Sequence, residues 1–183
     1  DNYSARSDSN IILSINNKHK TIKMISLMRD TCVLIPGFDV DGDGKDDYAK
    51  LNTAYALGGY QNGPERLFQT IETNFRLKID KYIGVNFVVF PIAVDHFGGI
   101  DIELTGPEAT QIPKKGTTAT VETGDPNFVP LSNQPGNYHL DGFQTLQYAR
   151  IRHVGNSDFG RVQRQQKVLN ILIDKAKTTN PLT

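Results

Sequence analysis

Tryptophan is absent from this 183-residue chain, cysteine occurs once, and 20 lysines and arginines balance 20 aspartates and glutamates. Without net charge the chain has no general attraction for nucleic acid or for an anionic membrane, so an anion must be bound by a local cluster. No apolar run approaches the roughly 18 to 20 residues that a membrane helix requires. A lone cysteine cannot form an internal disulfide, which leaves the cellular compartment undecided.

That cysteine, Cys32, lies in the apolar segment TCVLI. It is either a small buried hydrophobe or a nucleophile. Its apolar neighbours favour the buried hydrophobe, because cysteine is among the residues most often enclosed in a core.

Alternating strand and helix patterns predict an α/β fold, and the length of the chain suits one domain. The β-branched runs 9–16 and 21–28 are separated by the polar NKHK segment and predict a hairpin or two neighbouring strands. A stretch over 105–136, rich in Thr, Pro and Gly, predicts a long surface loop. The other predicted elements are a helix opened by Pro64, a strand over 82–86, a helix over 87–97 ended by Gly98 and Gly99, a strand over 100–104, and two helices capped by Asp141 and Asp158.

Arginines are concentrated near the C-terminal end of the chain. Four of the eight arginines span the end of one predicted helix and the start of the next: Arg150, Arg152, Arg161 and Arg164. The guanidinium fork donates two parallel hydrogen bonds to phosphate oxygens, and the N-terminus of a helix also favours anions. The spacing therefore fits a phosphate site, and the alternative is a solvated basic face that pairs with Asp141 or Asp158.

Charged residues also flank the predicted hairpin. Asp1 and Asp8 precede its first strand, and Arg29 and Asp30 close its second. If the two strands pair, carboxylates and an arginine meet at one edge of the sheet. Two carboxylates next to substrate phosphates form a usual magnesium site, although each aspartate alone is typical of a turn.

An acidic loop follows the hairpin. Carboxylates at the first, third, fifth and ninth positions, with glycine at the sixth, match the spacing of a calcium-binding loop. These positions are Asp39, Asp41, Asp43 and Asp47, and Lys45 at the seventh would contribute its carbonyl oxygen. Position twelve is Lys50 rather than the usual glutamate, so the loop fits either a structural calcium ion that lacks this last ligand or a solvated acidic turn.

Six segments together resemble the LytR-CpsA-Psr family, in the order of that family. They are RSD at 6–8, SLMRD at 26–30, KLNTAYALGG at 50–59, VDHFGGIDI at 94–102, HLDGFQTLQYARIRH at 139–153 and DFGRVQRQQ at 158–166. The resemblance covers nearly the whole chain. It implies a single catalytic domain over residues 1–183 with a three-layer α/β/α sandwich around a mixed central sheet. It also implies that an N-terminal strand and a membrane anchor belong before Asp1.

The resemblance implies a phosphotransferase of cell-wall biogenesis on the extracytoplasmic face of the cell membrane of a Gram-positive-type bacterium. The enzyme would move a glycopolymer, such as teichoic acid or capsule, from an undecaprenyl pyrophosphate carrier onto peptidoglycan. The polyprenyl tail of the carrier would lie in an apolar tunnel of the enzyme. The side chains that either line this tunnel or form plain core are Leu67, Phe68, Ile71, Phe75, Phe87 and Phe90.

Residue roles follow from the matched motifs. The resemblance makes Asp1 and Asp8 the magnesium ligands, and it leaves the general base open between Asp8 and Asp30. The implied pyrophosphate ligands are Arg29, Arg150, Arg152 and Arg161, with Arg164 and Gln165 as nearby support.

Two other functions use the same residues. Water in place of a sugar acceptor would make the protein a lipid pyrophosphate hydrolase. A module that binds polyprenyl phosphate without catalysis would be regulatory, of the transcriptional attenuator type. No helix-turn-helix signature and no basic face beyond the arginines are visible, so we expect no direct binding of nucleic acid.

Overall fold

A computed structural model describes residues 6–155 and 157–178 of the chain. The chain divides into two compact units, residues 1–83 and residues 84–183. The expectation of a single catalytic domain stays a prediction. Asp1, an implied magnesium ligand, lies outside the described residues. Within the described ranges, no helix combines the length and the apolar character needed to cross a bilayer.

The first unit joins two antiparallel strand pairs to a long helix. Its elements are β1 (Asn10–Asn16), β2 (Thr21–Leu27), β3 (Cys32–Leu34), β4 (Tyr48–Lys50) and α1 (Leu51–Phe75). β1 pairs with β2, and Asn10 lies opposite Leu27, which confirms the predicted hairpin. β3 pairs with β4. The core of this unit is formed by Val33, Ile35, Leu51, Ala54, Leu67 and Ile71.

Two predictions for this unit are wrong. Cys32 is exposed rather than buried, because side chains alternate along β3 and its neighbour Val33 occupies the core. Helix α1 begins at Leu51, so Pro64 lies inside it and does not open it. The break in this helix occurs at Gly59, whose φ of 63° and ψ of −165° are non-helical and readily adopted only by glycine.

The second unit packs helices against one strand pair. Its elements are α2 (Val89–His96), β5 (Ile100–Leu104), α3 (Gly106–Ala109), β6 (Gly136–Leu140), α4 (Gly142–Arg150) and α5 (Ser157–Thr178). β5 pairs antiparallel with β6, and its side chains are alternately buried and exposed. The buried residues of the core include Val94, Ile100, Ile102, Leu104, Leu140, Tyr148 and Val168.

Most predicted elements of the second unit are confirmed. β5 has the predicted bounds, α2 ends before Gly98 and Gly99, and Asp141 caps α4 in a reciprocal pair with Gln144. The predicted loop contains only the short α3 and an isolated bridge between Pro113 and Pro130.

Three details of the fold differ from the prediction. Residues 82–86 form no strand and are exposed, since no neighbouring strand pairs with them in the described structure. Asp158 lies in the first turn of α5, which begins at Ser157, so Asp158 is not the cap. The α/β class is confirmed. The prediction placed the strands in one mixed sheet, whereas the described strands are hydrogen-bonded as three antiparallel pairs.

Candidate functional site

In the first unit, Arg29 lies between two carboxylates. The antiparallel register of β1 and β2 brings the residues before β1 next to those after β2. The guanidinium group of Arg29 donates from Nη1 to Asp8 and from Nε to Asp30, the latter over 3.2 Å. Lys50 forms an ion pair with the other oxygen of Asp30 at 2.7 Å. We call these four residues the Arg29 cluster. The predicted meeting of carboxylates and an arginine at one edge of the hairpin is confirmed.

The start of α1 holds the backbone of this cluster. The N–H of Asn52 donates to the carbonyl of Arg29 over 3.1 Å, and the N–H of Leu51 donates to that of Thr31 over 2.9 Å. These N–H groups have no partner within the helix, so they are available to fix the loop. Residues 50–52 (KLN) therefore position residues 28–30 (MRD).

The surroundings of Arg29 and Asp30 keep both of these side chains charged. Burial tends to lower the pKa of Arg29, but hydrogen bonds to Asp8 and Asp30 outweigh it, and the pKa is raised. The hydrogen bond from Lys50 is the largest cause of the lowered pKa of Asp30, and the bond from Arg29 adds to it. Asp30 is therefore ionised at neutral pH and is a weak base.

In the second unit, the end of α4 lies against the first turns of α5. Arg164 of α5 donates to the carbonyls of Ile151 and Val154, which follow α4. Gln165 makes a long 3.5 Å contact with the carbonyl of Ala149. The two segments that carry the clustered arginines are therefore neighbours, as the sequence predicted.

Arg150 ends α4 with its charge between an acid and an aromatic ring. Its Nη2 forms an ion pair with Glu122 of the long loop. Its guanidinium carbon lies 4.8 Å from the centroid of the Phe87 ring, which is a cation–π contact. The arginine is thus oriented from two sides while 36% of its side chain remains exposed.

The other arginines differ in their surroundings. Arg161 pairs with Asp158 one turn earlier at 2.9 Å, as the alternative of a solvated basic face predicts, but its side chain is buried rather than solvated. Arg152 is exposed and has no hydrogen-bond or ion-pair partner in the described parts of the chain. Arg152 is therefore an implied pyrophosphate ligand whose donors face water.

Carboxylates occupy the guanidinium groups of three implied ligands: Arg29, Arg150 and Arg161. A carboxylate and a phosphate offer arginine the same planar pair of acceptor oxygens. Each of these arginines can therefore exchange its carboxylate partner for a phosphate oxygen.

An exposed apolar segment adjoins Arg150 in the second unit. We call residues 85–92 the apolar segment, because Val85, Phe87, Val88, Val89 and Ile92 are all exposed. Phe90 packs partly against the core. The cation–π contact of Phe87 with Arg150 joins the apolar segment to the arginines.

The other candidate tunnel residues belong to the first unit. Leu67 and Ile71 are buried in its core, and Phe75 packs against them. Phe68 is half-buried and meets Tyr82 edge to face at 5.6 Å between ring centroids. Leu67 and Ile71 therefore fit the plain-core interpretation.

The acidic loop brings three carboxylates together. Oxygens of Asp39, Asp41 and Asp43 lie within 4.8 Å of one another, and all three residues are exposed. Asp47 accepts the N–H of Val40 at 2.7 Å. The ammonium group of Lys45 pairs with Asp43 at 2.7 Å and, with the backbone N–H of the same lysine, lowers the pKa of Asp43.

Two acidic residues of the second unit were missed by the sequence analysis. Glu108 binds Arg164, and Glu122 binds Arg150, each across a separation that no local pattern reveals. A signal existed for Glu108, because Thr105 and Glu108 have the spacing of a capping box and form one. Glu122 lies in a loop without sequence periodicity, so no such signal existed for it.

Comparison with known proteins gives consistent results. The model of the LytR_cpsA_psr family matches residues 1–183. The polyisoprenyl-teichoic acid–peptidoglycan teichoic acid transferase TagT of Bacillus subtilis is 33% identical over 97% of this chain and 48% of its own length. The regulatory protein MsrR of Staphylococcus aureus is 34% identical over 92% of this chain and 43% of its own length.

A solved structure of TagT with bound octaprenyl pyrophosphate lipid superposes with a TM-score of 0.72 at 31% identity. The alignment covers 96% of this chain and 61% of that one. The chain thus spans less than half the length of these two curated relatives.

Proposed function

Because the chain belongs to the LytR-CpsA-Psr family, we propose that it is the catalytic part of a phosphotransferase that moves a glycopolymer from an undecaprenyl pyrophosphate carrier onto peptidoglycan. The name of TagT describes such a transfer of teichoic acid, and a TagT structure holds a polyprenyl pyrophosphate. The protein would work at the extracytoplasmic face of the cell membrane, attached through a segment beyond this chain. Teichoic acid and capsule are the candidate polymers.

The contact between Arg150 and Phe87 carries this proposal. There Arg150, the last residue of α4, meets the exposed apolar segment, so a cation and exposed hydrocarbon adjoin each other. A lipid-linked pyrophosphate has the same two parts in the same order. A free sugar phosphate would use the arginines but leave the apolar segment exposed to water.

The arginines would supply charge neutralisation and alignment. The acceptor hydroxyl of peptidoglycan attacks the phosphorus that carries the glycopolymer, and a new phosphodiester bond forms. The bond from that phosphorus to the bridging oxygen breaks, polyprenyl phosphate leaves, and the hydroxyl proton passes to a base. Arg150, Arg152 and Arg161 of the second unit would hold the pyrophosphate oxygens as negative charge shifts to the leaving phosphate, and Arg29 of the first unit is the further ligand that the family pattern proposes.

The Arg29 cluster would hold magnesium through Asp8. Its Oδ1 accepts from Arg29, and its Oδ2 has no partner in the described structure. Nearby Asn52, whose N–H binds the carbonyl of Arg29, has a buried side-chain oxygen without a hydrogen-bond donor among the described residues. Hard oxygens of this kind suit magnesium. Bound magnesium would neutralise phosphate charge, and Asp1 is the second carboxylate that the family pattern proposes.

Asp30 is the candidate base if Asp8 is committed to metal. Its lowered pKa keeps it ionised but makes it a weak base. Replacement of Asp30 by asparagine should slow single-turnover transfer, and an unchanged rate would exclude it as the base.

The acidic loop is a proposed calcium site. Asp39, Asp41 and Asp43 would contribute carboxylate oxygens, with Asp47 and the carbonyl of Lys45 completing the set. The ammonium group of Lys45 would have to leave Asp43 for the ion to bind there. Such an ion would stabilise the loop and take no part in the transfer.

A second candidate function is a regulatory module that binds the lipid without transfer, and the name of MsrR favours it. Incubation with a synthetic polyprenyl pyrophosphate-linked glycan, a peptidoglycan oligosaccharide and magnesium distinguishes the candidates. A phosphodiester-linked product supports transfer, and released phosphorylated glycan indicates hydrolysis. Lipid that is bound but unchanged contradicts both enzymatic functions.

A further inference from the structure

Arg164 is buried and its donors are used within the chain. Only 5% of the residue is exposed. Its Nε donates to Glu108 at 2.9 Å, its Nη1 donates to the carbonyl of Ile151 at 3.0 Å, and its Nη2 donates to the carbonyl of Val154. A phosphate would have to compete with partners that already bind each of the three guanidinium nitrogens.

Glu108 is itself fixed in place. One of its oxygens, Oε2, accepts from the N–H and the hydroxyl of Thr105 at 3.0 and 2.9 Å, which leaves Oε1 for Arg164. Burial tends to raise the pKa of Glu108, but the bonds from Thr105 and Arg164 prevail and the pKa is lowered. The carboxylate is therefore ionised at neutral pH and is a rigid anchor for Arg164.

The two carbonyls that Arg164 holds flank Arg152. Ile151 precedes Arg152 and Val154 follows it by two positions, so one guanidinium fork bridges both ends of this short segment. Gly160 makes room for the fork, because a Cβ there would lie 3.3 Å from Nη1 of Arg164. Lysine cannot replace this arrangement, since an ammonium group lacks the planar pair of donors.

We propose that Arg164, anchored by Glu108, is a positioning residue that fixes residues 151–154 and thereby presents the exposed Arg152 to the pyrophosphate, and that Arg164 itself is not a ligand. The role assigned to Arg152 rests on the proposed function. The mechanical part of the inference, that Arg164 orders residues 151–154, does not.

The test combines hydrogen exchange with a double-mutant cycle. Hydrogen–deuterium exchange of residues 151–155 is measured in the wild type and in Arg164→Lys, Glu108→Gln and Arg66→Lys. The last is a matched control, because Arg66 also donates to a backbone carbonyl, that of Pro36, but in the other unit. Binding of octaprenyl pyrophosphate is then measured for Arg164→Lys, Arg152→Ala and the double variant.

We expect faster exchange at 151–155 in Arg164→Lys and a smaller increase in Glu108→Gln, with no change in Arg66→Lys. We expect Arg164→Lys to weaken binding about ten-fold in the wild-type background and less than about two-fold when Arg152 is already alanine, because residues that act through one another are not additive. Thermal unfolding of each variant verifies that it is folded.

The outcomes separate the two claims. Unchanged exchange in a folded Arg164→Lys overturns the positioning role whatever the binding data are. Equal weakening in both backgrounds shows that Arg164 does not act through Arg152 and also overturns it. If the wild type binds no octaprenyl pyrophosphate while exchange responds as expected, the proposed function fails and the ordering of residues 151–154 by Arg164 stands.

Discussion

Replacement of Glu122 by glutamine is expected to strengthen the binding of a polyprenyl pyrophosphate. Glu122 pairs with Arg150, so its carboxylate competes with the incoming phosphate for the same guanidinium group. Glutamine keeps the size of the side chain and removes its charge. A gain of affinity is unusual for a substitution in a binding region, which makes its sign informative.

The expected size of the change in affinity follows from the solvent exposure of the two side chains. The side chains of Arg150 and Glu122 are 36% and 45% exposed, so their ion pair resembles surface pairs that contribute about 0.2–1 kcal/mol. Removal of that competition corresponds to binding that is about 1.4- to 5-fold tighter. Replacement of Arg150 by alanine instead removes charge-assisted hydrogen bonds of about 1.5–3 kcal/mol, and should weaken binding about ten- to 150-fold.

The assay is isothermal titration with octaprenyl pyrophosphate at neutral pH and low salt. Asp174→Asn is the matched control, because it also removes one exposed carboxylate from the second unit but one that pairs with Lys177 rather than with an arginine of the site. If this control tightens binding as much as Glu122→Gln, the effect is general electrostatics. If Glu122→Gln weakens binding, the carboxylate supports the site and the reasoning is refuted.

Three further predictions concern stability. Gly142→Ala places a Cβ 2.0 Å from the carbonyl oxygen of Pro91, which should cost about 1–3 kcal/mol and lower the Tm by about 2–4 °C per kcal/mol. Gly136→Ala should not lower the Tm, because its Cβ would make only an ordinary contact of 3.7 Å with the ring of Tyr138, and equal Tm values for the two variants would contradict this. Because the pKa of Glu108 is lowered in the fold, the stability that its carboxylate contributes is complete above the ordinary pKa of 4.5 and is lost as pH falls through the folded pKa. In denaturant titrations, the free energy of unfolding should therefore fall less steeply at acid pH in Glu108→Gln than in the wild type. An equally steep fall in both proteins would argue against the anchored carboxylate. Added calcium should raise the Tm of the wild type but not of Asp41→Asn, and no rise in the wild type would exclude the calcium site.

Local signals were sufficient for several elements of the fold. The polar break between two β-branched runs indicated the β1–β2 hairpin, and Asp141 was readable as a cap because its side chain acts on the backbone a few residues away. The strand β6 was missed because it is short and carries only two large apolar residues, Tyr138 and Leu140. Its pairing with β5 is decided by a partner far along the chain, which no window of sequence contains.

In the candidate site, too, local patterns predicted some features and distant contacts decided the others. Density and residue type indicated that the arginines of α4 and α5 act together, and the hairpin placed Asp8 beside Arg29. The different tasks of Arg164 and Arg152 could not be predicted, because they depend on Glu108, which is distant in sequence. Cys32 was misjudged for a related reason: an apolar neighbourhood in sequence does not say which side of a short strand is covered.

The most direct measurement of the central claim compares the binding of octaprenyl pyrophosphate and octaprenyl monophosphate to the wild type and to Arg152→Ala. The account predicts that the wild type prefers the pyrophosphate and that Arg152→Ala loses most of that preference while it keeps its affinity for the monophosphate. Equal affinity of the wild type for both lipids, or an undiminished preference in Arg152→Ala, would contradict a pyrophosphate site built on these arginines.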